Sequence, residues 1–139
     1  MTSQRTTLTA RDTAQMHLID SEGNRGAVAV EMGYDPADPF AMSFTFMTST
    51  PVTWTFARDL IATGIYEPTG EGDVHVWPCL STDGCAVVIV ELSSNDGSIM
   101  IECGLREIAA FVRRMHTMVA PGTEADHLNL DQELARLFA

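Results

Sequence analysis

Twice along this chain, apolar residues spaced two apart give way to apolar residues spaced three and four apart. That switch of period constrains the fold more than any motif does. Phe40, Met42, Phe44 and Phe46 alternate with Ala41, Ser43 and Thr45, the period of a strand with one buried face. Beyond Pro51, Phe56, Leu60 and Ile61, with Val52 or Trp54 ahead of them, recur at helical spacing. Gly64 closes that run as a helix C-cap. Upstream, residues 15–19 read as a first strand, and the turn signal at 22–26 follows. A second strand then has Val28, Val30 and Met32 alternating with Ala29 and Glu31. Residues 34–39 hold two prolines, which remove backbone donors and restrict their neighbours, so an ordered loop is expected there.

The pattern then repeats. A glycine-rich loop at 66–73 leads into strands at 74–77, 85–92 and 98–103. The middle one is apolar on both faces and belongs in the centre of its sheet. Residues 93–97 join the last two strands as a hairpin, with Asp96-Gly97 supplying residues that tolerate positive φ. Leu105, Ile108, Ala109, Val112, Met115 and Val119 mark a second helix, stopped by Pro121-Gly122. Asn129, with Gln132 three residues on, starts a short C-terminal helix whose stripe is Leu130, Leu134, Leu137 and Phe138. The expected class is α+β with antiparallel sheets: strand-strand-strand-helix, repeated once as a pseudo-symmetric pair, plus a terminal helix. At 139 residues this fits a single domain, 1–139, with residues 1–12 flexible. The apolar girth of the 105–119 helix and of the Phe-rich strand exceeds what one small core needs, which predicts self-association.

Charge narrows the function. Eight Arg and no Lys face 19 acidic residues, for a formal charge of −11. Phosphate and anionic-lipid binding depend on clustered cations that release counterions. The longest basic cluster is Arg113-Arg114, so nucleic-acid binding is disfavoured. Residues 1–13 contain no apolar run of the secretory type, and the longest apolar run, 85–90, is too short to span a bilayer. The expectation is a cytoplasmic protein with no direct membrane insertion. Cys79, Cys85 and Cys103 are odd in number and lack C-x-x-C spacing, which fits reduced, buried thiols better than disulfides or zinc.

Candidate chemistry is sparse. The Gly70-Glu-Gly-Asp73 stretch lacks the Lys-Ser/Thr of a phosphate loop, carries two carboxylates and precedes a strand, so it reads as a turn. Among His17, His75, His116 and His127, none has a second ligand at metal spacing, although Glu124-Ala-Asp-His127 forms a loose acidic cluster. Nucleophile elbows are absent, and no cysteine has an adjacent histidine. No catalytic residue, metal or cofactor is assigned. Trp54 and Trp77 suit either ligand stacking or packing, and packing fits better because no basic group surrounds them. Arg58-Asp59 reads as a solvated or intrahelical pair, with an interaction role as the alternative. The candidates for contact with a partner are Tyr34, Asp35, Phe40, Trp54, Arg58, Asp59 and Trp77.

The segment VTWTFARDLIATG at 52–64, running on through PTGEGDVHVWP at 68–78, resembles the signature stretch of the SsgA-like sporulation and cell-division proteins of actinomycetes. Residues 34–40, 87–94, 120–124 and 128–134 resemble further blocks of that family in collinear order. The resemblance implies a whirly-like fold of two antiparallel sheets with helices, and a homo-oligomer, a trimer. It also implies a non-enzymatic adaptor at sporulation septa whose partners are other SsgA-like proteins and the tubulin-like division protein FtsZ. The resemblance further implies that this partner is itself acidic, so contact between the two would rest on short-range apolar packing or strand addition. The alternative, single-stranded nucleic-acid binding by analogy with whirly proteins, rests on fold alone.

Overall fold

The computed structural model describes residues 8–128 together with Leu134, Ala135, Leu137 and Phe138. Strands β1 (Ala10–Asp20), β2 (Arg25–Tyr34), β3 (Ala41–Phe46) and β4 (Val52–Ala57) lead into helix α1 (Arg58–Gly64). Strands β5 (Thr69–Glu71), β6 (Val74–Leu80), β7 (Ala86–Ser94) and β8 (Gly97–Gly104) then lead into helix α2 (Leu105–Met118) and a 3₁₀ turn, Glu124–His127. The repeat unit is therefore four strands and a helix, one strand more per half than the periodicity predicts.

In place of two separate sheets there is one antiparallel sheet of eight strands, ordered β4-β3-β2-β1-β8-β7-β6-β5. The halves join where His17–Asp20 of β1 pairs with Ile99–Glu102 of β8. This sheet has to curl. Laid flat, its outer strands would stand roughly 34 Å apart at about 4.8 Å per strand. Yet α1 connects β4 to β5 and touches β4, β5 and β6, and a seven-residue helix spans only about 10 Å.

The inner, helix-bearing face holds the core. Met16, Val30, Met32, Phe44, Val76, Val88, Val90, Ile101 and Cys103 are buried there against Leu60 and Ile61 of α1 and Ile108, Phe111, Val112 and Met115 of α2. Phe44 and Phe56 meet edge to face, with centroids 5.1 Å apart. Most of the apolar girth that predicts self-association is buried here, although Phe40 stays exposed. In α2, Leu105, Ala109 and Met118 also pack on the same core, and in β3 both Phe44 and Phe46 are buried.

Three local readings are corrected. The helix predicted beyond Pro51 starts only at Arg58, because residues 52–57 pair with β3 along their whole length. Val-Thr-Trp-Thr-Phe alternates with period two as well, and its β-branched and aromatic residues favour the pleated edge. Gly64 is the last helical residue, and the cap, Ile65, is right-handed at φ −73°. The glycine is needed for space: a Cβ there would overlap the Val76 side chain. The loop at 66–73 also contains a strand, with Gly72 at φ +61° turning β5 into β6. Of the C-terminal helix, most lies outside the described residues. Leu134, Leu137 and Phe138 are described, and all three are exposed.

Candidate functional site

Chain direction places all four hairpin turns at one end of the curled sheet, since β1–β2, β3–β4, β5–β6 and β7–β8 each turn there. α2 packs on β1, β7 and β8 and sits towards the opposite end, where Arg114 pairs with Asp12 at 2.9 Å. At the turn end Leu18, Val28, Val74 and Ile99 are only partly buried, and Val52 and Trp54 stand 47% and 43% exposed.

The seven sequence candidates separate into three groups. Tyr34 and Arg58 are buried, at 2% and 0% exposure, and hold the fold together instead of meeting a partner. Arg58 Nη1 donates to the Val119 carbonyl at 2.7 Å, to the Tyr34 hydroxyl at 3.0 Å and, at 3.4 Å, to the Met115 carbonyl. Tyr34 in turn donates to the Pro39 carbonyl at 2.8 Å, and the guanidinium carbon lies 5.4 Å from the Tyr34 ring centroid. Its ion partner is Glu124 at 2.9 Å, not the neighbouring Asp59. The Nη2–Oε2 distance is that of a hydrogen bond, but neither Nη2 nor Nε aims a proton at an acceptor among the described residues, so the contact is an ion pair with imperfect direction. This node ties the β2–β3 loop, α1 and the end of α2 to the 3₁₀ turn. It also removes Glu124 from the acidic cluster with His127, leaving Asp126 and His127 exposed.

The node sets its own protonation. Backbone hydrogen bonds around the 3₁₀ turn, helped by Arg58, hold the Glu124 carboxyl below its ordinary value. Burial pushes the Tyr34 hydroxyl up against the opposing pull of Arg58. His116 on α2 is lowered, first by burial and then by the Arg58 charge.

Asp35, Phe40, Trp54 and Asp59 form the second group, exposed on or beside the β3–β4 hairpin. Cross-strand register puts Trp54 opposite Phe44 on the inner face. Trp77, half-buried and alone in the third group, lies opposite Ile89 on the outer face. The two tryptophans therefore do not form one stacking platform. Beyond the seven, Trp54 lines a cleft of about 260 Å³ across the mouth of the curl, together with Ser21, Leu92, Ser94, Asp96 and Ile99. Sequence reasoning missed this cleft because β4 and β7 meet only through the curl.

Reactive groups do not converge. Among the described residues no three His, Cys, Asp or Glu could share a metal ion, and none of the helices is long and apolar enough to cross a membrane. Of the three free thiols only Cys103 is buried, with Sγ 3.5 Å from Met16 Sδ and its pKa raised by burial. Cys79 and Cys85 are exposed at the β6–β7 turn, contrary to expectation, since strand ends there lack a covering element.

These observations define a class: an α+β protein built as a duplicated four-strand-and-helix unit in one curled sheet. The family described as Streptomyces sporulation and cell division protein, SsgA, matches residues 28–124, and the chain belongs to it. It is 43% identical over 126 residues to the sporulation-specific cell division protein SsgB of Streptomyces coelicolor, covering 89% of this chain and 91% of that one. To SsgB of Thermobifida fusca it is 33% identical over 97% of both chains. A solved structure described by the words "Mutations in SsgB correlate to longitudinal cell division during sporulation of Streptomyces coelicolor" superposes with a TM-score of 0.83 at 38% identity, over 91% of this chain and all of the other. An SsgA-like sporulation-specific cell division protein from T. fusca gives 0.84 at 29% identity over 98% of both.

Proposed function

We propose that the chain is a non-enzymatic adaptor of sporulation-specific septation that helps to recruit or position FtsZ at division septa, and that it docks through the β3–β4 side. One observation carries this reading. Phe40, Met47, Val52 and Trp54 are all exposed, and all lie on or beside one hairpin in a chain of net charge −11. Strand β4 is a sheet edge with no charge between Val52 and Ala57, the kind of edge that accepts strand addition or an apolar contact. Asp35 and Asp59 border it. Other SsgA-like proteins and further copies of this chain, as a trimer, are the remaining partners on this reading. The duplicated unit also supports comparison with the whirly type of fold.

Docking of this kind resists salt, because the contact is apolar and the long-range field between two acidic proteins is repulsive. Co-sedimentation with FtsZ polymers should persist or strengthen as salt rises to physiological levels. The Phe40→Ser/Trp54→Ser double variant should lose it at least tenfold while keeping its circular dichroism. Steep loss of wild-type binding with salt, or full binding by the double variant, would count against the reading.

A further inference from the structure

The mouth of the curled sheet joins an aromatic ring to a carboxylate with no cation of its own. The cleft of about 260 Å³ is lined by Trp54, Leu92 and Ile99 together with Asp96, Ser21 and Ser94, and among the described residues no Lys or Arg lines it. Around it the hairpin turns carry Asp20, Glu22, Glu71 and Asp73. Among the described residues the one arginine at that end, Arg25, is held by Glu102 at 2.7 Å. Asp20 is occupied too, accepting from the Glu22 and Asn24 amides and the Asn24 side chain. The uncommitted potential is negative and sits over an apolar floor.

Among the described residues the edge beside the cleft is also unfilled. The Arg58 amide donates to the Phe40 carbonyl at 2.7 Å. With the β3–β4 register, this makes Phe56–Met42, Trp54–Phe44 and Val52–Phe46 the hydrogen-bonded pairs. Thr53 and Thr55 therefore point their backbone N–H and C=O groups away from the sheet. An extended chain matches that spacing, and such a chain would run past Trp54 on the cleft side.

We infer that this mouth captures an arginine side chain presented by an extended segment of a partner protein that pairs with β4, the guanidinium lying on Trp54 and forking to Asp96. Arginine fits better than lysine because a planar cation stacks on indole while its donors match a carboxylate. The inference stands on the cleft and the free edge, whichever division protein supplies the segment.

The test uses two acetylated, amidated pentapeptides, Thr-Val-Arg-Val-Thr and its citrulline counterpart, which is isosteric and neutral. In ¹H–¹⁵N NMR titrations the arginine peptide should shift the Trp54 indole N–H and the amides of residues 96–98. It should bind about tenfold more tightly than the citrulline peptide, consistent with a charge-assisted contact, and the gap should shrink with added salt. Asp96→Asn keeps a residue at home in the turn and should abolish most of the preference. Trp54→Leu should weaken the arginine peptide by about tenfold. Equal affinity for the two peptides would overturn the inference. So would shifts scattered over the acidic surface, or an undiminished preference in Asp96→Asn. FtsZ co-sedimentation by Asp96→Asn separates this result from the docking reading: the inference can fail while that binding stays intact.

Discussion

Trp54 and Arg58 are four residues apart, and their environments are the reverse of what polarity suggests. The indole stands 43% exposed on a sheet edge, whereas the guanidinium is fully buried. The difference comes from what each backbone segment joins. Strand β4 has a neighbour on one side only, so its side chains face solvent wherever no helix covers them. Helix α1 has to bridge two sheet edges, and its first residue is driven into the junction where the β2–β3 loop, α2 and the 3₁₀ turn converge. There Arg58 donates to the carbonyl of Val119, the cap residue of α2, which the helix end leaves without a donor, and at longer range to that of Met115, which also accepts the Val119 amide. One contiguous stretch thus supplies both an open surface and the clamp that holds the curl closed.

The comparison is broken most severely at Arg58. Replacing it with Ala leaves two helix carbonyls, the Tyr34 hydroxyl and Glu124 without their common donor, and is expected to cost about 3–5 kcal/mol. Chemical denaturation should register that loss, and a cost below about 1 kcal/mol would show that the node is idle. Tyr34→Phe removes the hydroxyl that receives Arg58 and reaches Pro39, at an expected cost of about 1–3 kcal/mol by the same measurement.

Acid sharpens the comparison. Glu124 has a folded pKa below its unfolded value of 4.5. Its contribution is therefore present above pH 4.5 and is lost as pH falls through the lower folded value. His116 is also lowered, from 6.5; its neutral form is favoured by folding, so stability starts to decline as pH drops below 6.5. Thermal melts from pH 8 to 3 should show both declines. Glu124→Gln should flatten the lower one and His116→Gln the upper one. The smallest effect belongs to the exposed residue. Trp54→Ala should change stability by no more than about 1 kcal/mol, although the same variant is expected to affect binding.

The sequence exposed much of the scaffold. Strand β3 and helix α2 were legible because both show one unbroken period over their full length. The duplicated order was visible too, although the count was one strand short in each half. Residues 52–57 satisfied two periods at once, and β5 is three residues long and hidden among glycines. Of the candidate residues, Phe40 and Trp54 are exposed, as contact with a partner requires, whereas Tyr34 and Arg58 are buried in the fold. An arginine beside an aspartate looks like a surface pair, and nothing local shows that Glu124, 66 residues away, is the true partner. Exposed Cys79 and Cys85 were misplaced for a related reason, since burial at a strand end depends on what lies over it.

By itself the sequence determined what local periodicity and total charge can determine: antiparallel strands ahead of each helix, a core of alternating apolar residues, and a field hostile to polyanions. The curl of the sheet was decided only in three dimensions, when a short helix had to join strands at opposite edges. From that closure follow the buried arginine clamp and the cleft between Trp54 and Asp96. Both depend on contacts between residues distant in the chain, and no pattern confined to neighbouring residues encodes such contacts.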